Sequence, residues 1–565
     1  MLERTAEAVP VTPGASATPG APVADSPAVH GPATDGPATG TTDGWNAPPG
    51  AVLDGRGLDA ATVARVADGA PPPPVCPAAR EAMEHTRRAA HRLAAEGARV
   101  YGRSTGVGAH RGLAVEEHDG AGHDLRLLLS HAGGVGEALP ARQVRAMMVV
   151  RANQLLAGGS GLGPEIATAI ARALEAGVCP RVPEYGSVGT GDLTALARLG
   201  LALFGHDVWS PEGPLSEEPS ARHPVPEPLP LQRGDALALL SSNALTLGES
   251  ALAWHDLGTP LRAAHVVASL ALHAVDGSLE PYAPEVHAAH AHPAIARVAG
   301  RVRWLLGAET GPGTRVPGQA DRVQDRVQDP FGFRCFPQAH GPAMEAWSGL
   351  ERVLSIDLNS ATENPLIGWD AVTAAPVARH HGGFFTAPLT LALDQSVLAV
   401  LGTARLSAAR LSALGRPELT GLRSYLADDS SAGSGMMILE YSAASALAEI
   451  QACATPASLG HVVLSQGMEE AATFATQAAR KALRAASAYR LVLACELVAA
   501  VRALRLRGTP PAPGTPAGRA YLRAAAALDP DMRDRPLTDD VTVAAVLLDG
   551  FAELTGGEGE PARLG

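Results

Sequence analysis

The sequence predicts a mainly α-helical protein built around a bundle of long antiparallel helices. Alanine and leucine dominate a chain of 565 residues in which aromatic residues make up only 4%, and this composition favours packed helices over sheets. Apolar residues recur at helical spacing from Glu469 to Arg507 with no intervening glycine or proline. A helix of that length needs long partners to bury its apolar face, which predicts the bundle.

Composition divides the chain into four predicted segments. Residues 1–50 carry almost no large apolar side chains and are expected to be disordered. The other three are an N-terminal domain (51–232), the central long-helix bundle (233–515) and short C-terminal helices (516–565). Helical periodicity predicts, in order, helices over 78–96, 125–138, 141–156, 164–176, 193–204, 469–507, 517–528 and 538–554.

Charge, cysteine usage and hydropathy limit the function classes. The net charge of −13 argues against a nucleic-acid partner. The five cysteines are scattered, which suits a reducing cytoplasm. No uninterrupted apolar run approaches the roughly 18 to 20 residues of a membrane span, and the first residues lack the pattern of a secretory signal. We therefore expect a soluble cytoplasmic protein without a membrane partner.

A glycine-rich segment, Gly-Ser-Val-Gly-Thr-Gly-Asp at residues 186–192, directly precedes the predicted helix 193–204. Glycine accepts positive φ and lets backbones approach closely, so this loop can fold tightly enough for chemistry on itself. A phosphate cradle at a helix N-terminus is one alternative, although no Lys-Ser/Thr follows the glycines and no clear strand precedes them. An ordinary glycine-rich helix start is another.

The same segment resembles the Gly-Ser-Val-Gly-Ala-Ser-Gly-Asp-Leu signature of the aromatic amino acid ammonia-lyases and related aminomutases. In that family the Ala-Ser-Gly triad cyclises and loses water to give a methylidene-imidazolone electrophile, MIO. Here the loop is one residue shorter and threonine replaces serine, so the nearest triad is Gly189-Thr190-Gly191. The resemblance implies an MIO-type group whose extra methyl makes it more hindered and less electrophilic.

Further motifs extend the resemblance from about residue 101 to residue 506. Tyr-Gly-Arg-Ser-Thr-Gly-Val-Gly begins at Tyr101 and resembles the loop whose tyrosine removes the substrate β-proton. His131 stands in a Ser-His-Ala-Gly-Gly-Val-Gly match whose histidine lines the pocket. Arg334 matches the arginine that holds the substrate carboxylate, a task suited to a planar bidentate donor. Three more positions match by motif order, with Glu449 on the substrate amine side and Gln328 and Asn364 in the pocket, and Met468 occupies a further pocket position.

Several pocket positions depart from the family pattern. Phe331 replaces a tyrosine and removes a hydroxyl, and Met468 replaces a glutamine. Where the family has Asn-Gly-Thr, this chain has Leu-Ser-Ser-Asn, so the position of the family's amide is Ser241 or the amide is supplied by Asn243. Gly-Gly-Phe-Phe-Thr ends at Thr386 in place of Gly-Gly-Asn-Phe-His. We infer that substrate binding has changed.

The resemblance implies the histidine ammonia-lyase-like fold, a homotetramer with active sites shared between subunits, and elimination of ammonia, or a shift of the amine, on an amino acid-like substrate. Two alternatives stay open: an enzyme of this fold that forms no MIO and runs a different elimination, addition or cyclisation, and a non-catalytic scaffold. No nucleotide is implied. The His-Ala-Ala-His-Ala-His patch from His287 could hold a metal if its imidazoles converged, but exposed histidines at a helix end are favoured and we expect no metal.

Overall fold

The computed structural model describes residues 52–116, 119, 121–211, 224–308, 314–316, 326–428 and 432–556. The disorder predicted for residues 1–50 lies outside this part of the chain. The described residues belong to one compact unit that spans residues 47–565. The boundaries near residues 232 and 515 remain predictions.

Helices dominate the described residues. In chain order they are α1 (Ala60–Ala67), α2 (Pro77–Ala95), α3 (Gly122–His131), α4 (Ala141–Leu156), α5 (Pro164–Glu175), α6 (Leu193–Leu203), α7 (Asp235–Leu240), α8 (Ala244–Ala274), α9 (Pro284–Ala289), α10 (Pro293–Leu306), α11 (Phe331–Arg334), α12 (Phe336–Asp357), α13 (Ala387–Leu414), α14 (Pro417–Thr420), α15 (Met437–Cys453), α16 (Ala475–Arg507), α17 (Pro516–Ala527) and α18 (Thr538–Gly556). The mainly α-helical prediction is confirmed.

The long helices pack on one another, as the sequence predicts. The longest, α16 with 33 residues, lies against α8, α13 and α15, while α12 packs on α13 and α8. Their facing sides carry leucine, valine and alanine and form most of the core. This alanine-rich packing lets helices approach closely and explains why so few aromatic residues are needed.

The first residues predicted for α16 are not helical. The helix begins at Ala475 rather than near Glu469, because Phe474 takes a left-handed conformation (φ 56°). Its N–H donates to the Val188 carbonyl oxygen at 2.8 Å. The residues before Ala475 are thereby tied to the glycine-rich loop instead of extending the helix.

Three two-stranded antiparallel ribbons accompany the helices in the described residues. They pair β1 (Val135–Ala138) with β3 (Pro183–Tyr185), β2 (Val178–Pro180) with β4 (Trp209–Pro211), and β5 (Leu366–Trp369) with β6 (Pro376–Arg379). The predicted helix over 125–138 is therefore wrong beyond His131, because two glycines end α3 and the following residues pair with β3. Since β3 ends one residue before the glycine-rich loop, this pairing anchors the loop's first residue.

Helix α13 is long and apolar enough to cross a membrane by length and composition, with a mean hydropathy of 1.4 over 18 residues. Within the described part of the chain it is the only helix that meets this criterion. More than half of that window, 56%, is buried in the protein. Packing against α12 and α16 accounts for its apolar composition.

Candidate active site

One cleft of about 1130 Å³ brings together segments that are far apart in the sequence. Its walls come from the Tyr101 loop, the end of α3, the glycine-rich loop, the turn after α7, the residues around β5 and β6, and the segment before α16. Seven of the predicted site residues line it, namely Tyr101, His131, Thr190, Gly191, Ser241, Asn364 and Met468.

Asp192 anchors the glycine-rich loop at the start of α6. Its carboxylate is completely buried and accepts hydrogen bonds from the Ser187 hydroxyl (2.5 Å) and from the Thr246 N–H (2.8 Å) and hydroxyl (2.9 Å). Burial raises the pKa of Asp192, and these donors oppose the rise. Because the Thr246 donors belong to α8, they tie the loop to that helix, and the loop runs with Gly189 at φ +84° and Gly191 at φ +129°.

Two threonine hydroxyls meet at the Gly189 carbonyl oxygen. The Thr386 hydroxyl donates to it at 2.9 Å and the Thr473 hydroxyl at 2.8 Å. Thr473 in turn accepts from the Ala475 N–H, which leaves its own hydrogen available to the carbonyl. A carbonyl oxygen held by two buried hydroxyl donors is polarised, so its carbon is more open to nucleophilic attack.

Asn243 supplies the amide beside the glycine-rich loop. The Gly191 N–H donates to Asn243 Oδ1 at 2.9 Å, and Asn243 Nδ2 donates to the Phe384 carbonyl oxygen at 2.7 Å. The Ser241 hydroxyl instead accepts from the Asn364 N–H at 2.8 Å. The structure therefore places Asn243 against the loop and Ser241 against Asn364.

The residue before Thr190 has no room for a side chain. A Cβ on Gly189 would lie 2.2 Å from the Thr473 hydroxyl oxygen and 2.7 Å from the Ala475 backbone nitrogen. Thr473 thus occupies the space that the methyl group of the family's alanine would need, and glycine at position 189 avoids the clash. A ring closed between the Gly191 nitrogen and the Gly189 carbonyl carbon would span the three consecutive residues 189–191. The hydroxyl donors of Thr386 and Thr473 fit this reaction, because they bind the carbonyl oxygen of Gly189.

Tyr101 is half-buried at the edge of the cleft, and its phenol oxygen is held by backbone. The Gly108 N–H donates to that oxygen at 2.7 Å. The ring of His380 stands edge-on to the Tyr101 ring, with centroids 6.5 Å apart, and His380 Nε2 accepts from the Tyr101 N–H at 3.3 Å. The loop thus fixes the phenol without using its hydroxyl hydrogen.

His131 lies on another wall, and its contacts define its tautomer. Nδ1 is 2.8 Å from the Leu127 carbonyl oxygen, which can only accept. Nδ1 therefore carries the hydrogen of the neutral ring, and Nε2 is left as an acceptor.

Six predicted site residues do not line the cleft. Gly189 and Asn243 are joined to it through the glycine-rich loop, whereas Gln328, Phe331, Arg334 and Glu449 lie apart from it. Gln328 and Glu449 are exposed, and Phe331 is 62% exposed. The Arg334 guanidinium lies 4.3 Å from the centre of the Phe331 ring, and its Nε donates to the Asp329 carbonyl oxygen at 3.0 Å. This second group stays on the surface of the isolated chain.

A buried ion pair supports the wall that carries Asn364. Arg151 and Glu363 are at most 1% exposed and meet at 2.8 Å, and Arg151 also donates to the Ala238 and Leu239 carbonyl oxygens. Burial raises the pKa of Glu363 and lowers the pKa of Arg151, while their attraction opposes both shifts. The pair joins α4 to the segment between α12 and β5.

No role was assigned from the sequence to three residues of the site: Thr386, Thr473 and His380. Thr386 was visible as a departure from the family pattern, but its partner Gly189 lies 197 residues away. Only the fold shows that the two positions touch.

Residues 58–527 match the sequence profile of the family described as aromatic amino acid lyase. The chain belongs to the aromatic amino acid lyase family. It is 34% identical over 510 residues to a histidine ammonia-lyase of Sorangium cellulosum (strain So ce56), covering 89% of this chain and 98% of that protein.

Solved structures of the family share the fold. The histidine ammonia-lyase of Trypanosoma cruzi superposes with a TM-score of 0.79 at 25% identity, covering 90% of this chain and 96% of that one. The tyrosine aminomutase of Streptomyces globisporus gives 0.78 at 25% identity, covering 89% and 97%. Within the aromatic amino acid lyase family this chain is a carbon–nitrogen lyase.

Proposed function

We propose that this enzyme removes ammonia from an amino acid-like substrate in the cleft, or shifts the amine within it, with Tyr101 as the base that takes the β-proton. The observation that carries the proposal is that Tyr101 and Thr190, 89 positions apart in the sequence, line one cleft. The phenol oxygen accepts a backbone hydrogen bond, which orients it and leaves its reactive side free for substrate.

Gly189, Thr190 and Gly191 would form the MIO-type group. A bond would form between the Gly191 nitrogen and the Gly189 carbonyl carbon, and the Gly189 oxygen would leave as water with the hydrogens of the Gly191 and Thr190 nitrogens. The Thr190 hydroxyl would leave as a second water with the Thr190 Cα hydrogen. The hydroxyls of Thr386 and Thr473 support this proposal, because they stabilise negative charge on the Gly189 oxygen during ring closure. The group would supply an electrophilic carbon beside the substrate.

The substrate we propose is an α-amino acid with an apolar, ring-bearing side chain. Leu237, Phe384 and Met468 line the cleft together with the Tyr101 ring. Burial of apolar groups against these walls favours a substrate of the same character. His131 Nε2 is the acceptor available for one polar group on such a substrate.

We propose a soluble cytoplasmic homotetramer in which neighbouring chains complete the site. Helix α15 is apolar, yet only four of its 17 residues are buried in the isolated chain. Ile438 and Tyr441 on this helix are 57% and 67% exposed. Neighbouring chains packed on such a face would also bring Arg334 and Glu449 to the cleft of another chain.

A second candidate is an enzyme of this fold that leaves the loop uncyclised. It is favoured by the shortened loop with threonine at position 190, and by Phe331 and Met468, which replace polar residues of the family pattern. This candidate would use Tyr101 and Arg334 for a different elimination, addition or cyclisation.

The test is ammonia release from a panel of α-amino acids, with Tyr101→Phe as the variant and Tyr425→Phe as a control outside the cleft. We expect turnover of apolar ring-bearing amino acids by the native enzyme, loss of at least about a hundredfold in kcat for Tyr101→Phe, and no change for Tyr425→Phe. Release of no ammonia and no rearrangement product from any member would contradict the proposal. Activity of Tyr101→Phe equal to that of the native enzyme would show that Tyr101 is not the base that takes the β-proton.

A further inference from the structure

A second cavity lies between α8, α10, α12 and α18, and the described residues that line it are all different from those that line the cleft. Its volume is about 490 Å³, within the range of small-molecule sites. Arg262, Arg297 and Arg301 line it together with His265, and none of the described residues that line it is acidic. In a chain of net charge −13 this is an unusual concentration of positive charge.

Arg262 is half-buried, and no carboxylate pairs with it among the described residues. Its guanidinium lies 5.4 Å from the centre of the Trp347 ring, and Trp347 stacks on Trp254 with centroids 5.1 Å apart. The Trp347 indole nitrogen donates to the Trp254 carbonyl oxygen, which fixes this aromatic support. Burial lowers the pKa of Arg262, and no acid within the described part of the chain opposes the shift.

Arg297 lies one helical turn from Arg301 on α10, and it too has no carboxylate partner in the described part of the chain. A guanidinium offers paired N–H donors that match the two oxygens of a carboxylate or a phosphate. Ala294, Val298 and the Trp304 ring give the rest of the cavity an apolar surface. The chemistry therefore suits an anionic head group on a compact apolar body.

We propose that this cavity binds a small organic oxyanion, through a carboxylate or phosphate held by Arg262 and Arg297. The site is separate from the catalytic cleft, so its occupant acts as an additional ligand rather than as the substrate.

Calorimetric titration of the full chain at low chloride tests this, with pyrophosphate and citrate as separate phosphate and carboxylate probes. We expect saturable binding of at least one probe with one site per chain. Arg262→Gln and Arg297→Gln should each weaken binding about tenfold or more, because each removes charged hydrogen bonds. Arg172→Gln, an exposed arginine on α5, is the matched control and should bind as the native chain does.

Three results would overturn the proposal: no saturable heat with either probe at millimolar concentration, unchanged affinity in both cavity variants, or binding that appears only in a chain ending at Gly556. The last result would assign the cavity to the carboxylates of residues 557–565 of this chain. Should Arg262→Gln fail to fold, Arg297→Gln keeps the test decisive, because Arg297 is exposed and its loss leaves the Trp347 packing intact.

Discussion

At the scale of single residues, the glycine-rich loop is explained by what touches the Gly189 carbonyl. Thr473 leaves no space for a side chain at position 189, and together with Thr386 it supplies two hydroxyl donors to the carbonyl oxygen. Glycine at position 189 of the shortened loop and the two threonines therefore fit each other sterically and by hydrogen bonding. Losing the alanine of the family signature does not by itself remove the means of closing a ring.

Replacing Thr386 or Thr473 should slow formation of the MIO-type group. Thr386→Val and Thr473→Ala each remove one donor from the developing oxyanion, and loss of one such donor costs about 10²- to 10³-fold in rate in related chemistry. The measurement is the fraction of chain that has lost two waters, followed by intact mass with time after synthesis.

Two variants control that experiment. Thr386→Ser keeps the hydroxyl and should mature at the native rate. Thr390→Val changes a buried threonine one turn further along α13, whose hydroxyl contacts the Thr386 carbonyl oxygen rather than the loop. Unimpaired maturation in both donor-free variants would show that the hydroxyls have no such role.

At the scale of elements, the walls of the cleft depend on buried charges that join helices to loops. The Arg151–Glu363 pair links α4 to the segment carrying Asn364. Because both side chains are removed from water, neither charge is tolerated alone.

Glu363→Ala should lower the free energy of unfolding by about 3–5 kcal/mol, since it leaves the Arg151 guanidinium buried without its partner. Urea denaturation followed by circular dichroism measures this. Glu81→Ala, on the exposed face of α2, should change stability by less than about 0.5 kcal/mol. A similar small effect for Glu363→Ala would mean that the pair contributes nothing to the fold.

Helix α8 should make the protein acid-sensitive. Burial lowers the pKa of both His265 and His273 from 6.5 to about 4. A folded-state pKa below the unfolded value means that the stabilisation is complete above pH 6.5 and is lost as pH falls toward 4.

His273→Gln should therefore flatten the stability profile between pH 6.5 and pH 4, by up to about 1.4 kcal/mol per pH unit. Urea midpoints at half-unit pH steps give the profile, and His461→Gln, an exposed histidine, should leave it unchanged. An acid slope that His273→Gln leaves as steep as before would exclude His273 as its source.

At the scale of the whole molecule, the exposed apolar face of α15 and the position of Arg334 outside its own cleft have one explanation, the proposed tetramer. Ile438→Asp with Tyr441→Asp should give a smaller species in sedimentation velocity and should abolish ammonia release, because no neighbour then completes the site. Val372→Asp changes a more exposed valine in the turn between β5 and β6 and should alter neither property. Full activity in a monomer would contradict shared active sites.

Much of this architecture could be predicted from the sequence, because apolar residues at helical spacing indicate long helices and the loop motifs occur in the same order as in the family. The helix over 125–138 was predicted too long, since periodicity cannot show that its last residues pair with β3. The choice between Ser241 and Asn243 was equally out of reach, because it depends on the path of the backbone between α7 and α8. Contacts such as Thr386 with Gly189 arise only when distant segments meet.

The most direct test of the central claim is the intact mass of the native chain, with peptide mapping across residues 186–192. We expect a species lighter by two waters, with the loss located at Gly189-Thr190-Gly191. Recovery of Thr190 as ordinary threonine in catalytically active protein would contradict the claim and would favour the uncyclised enzyme.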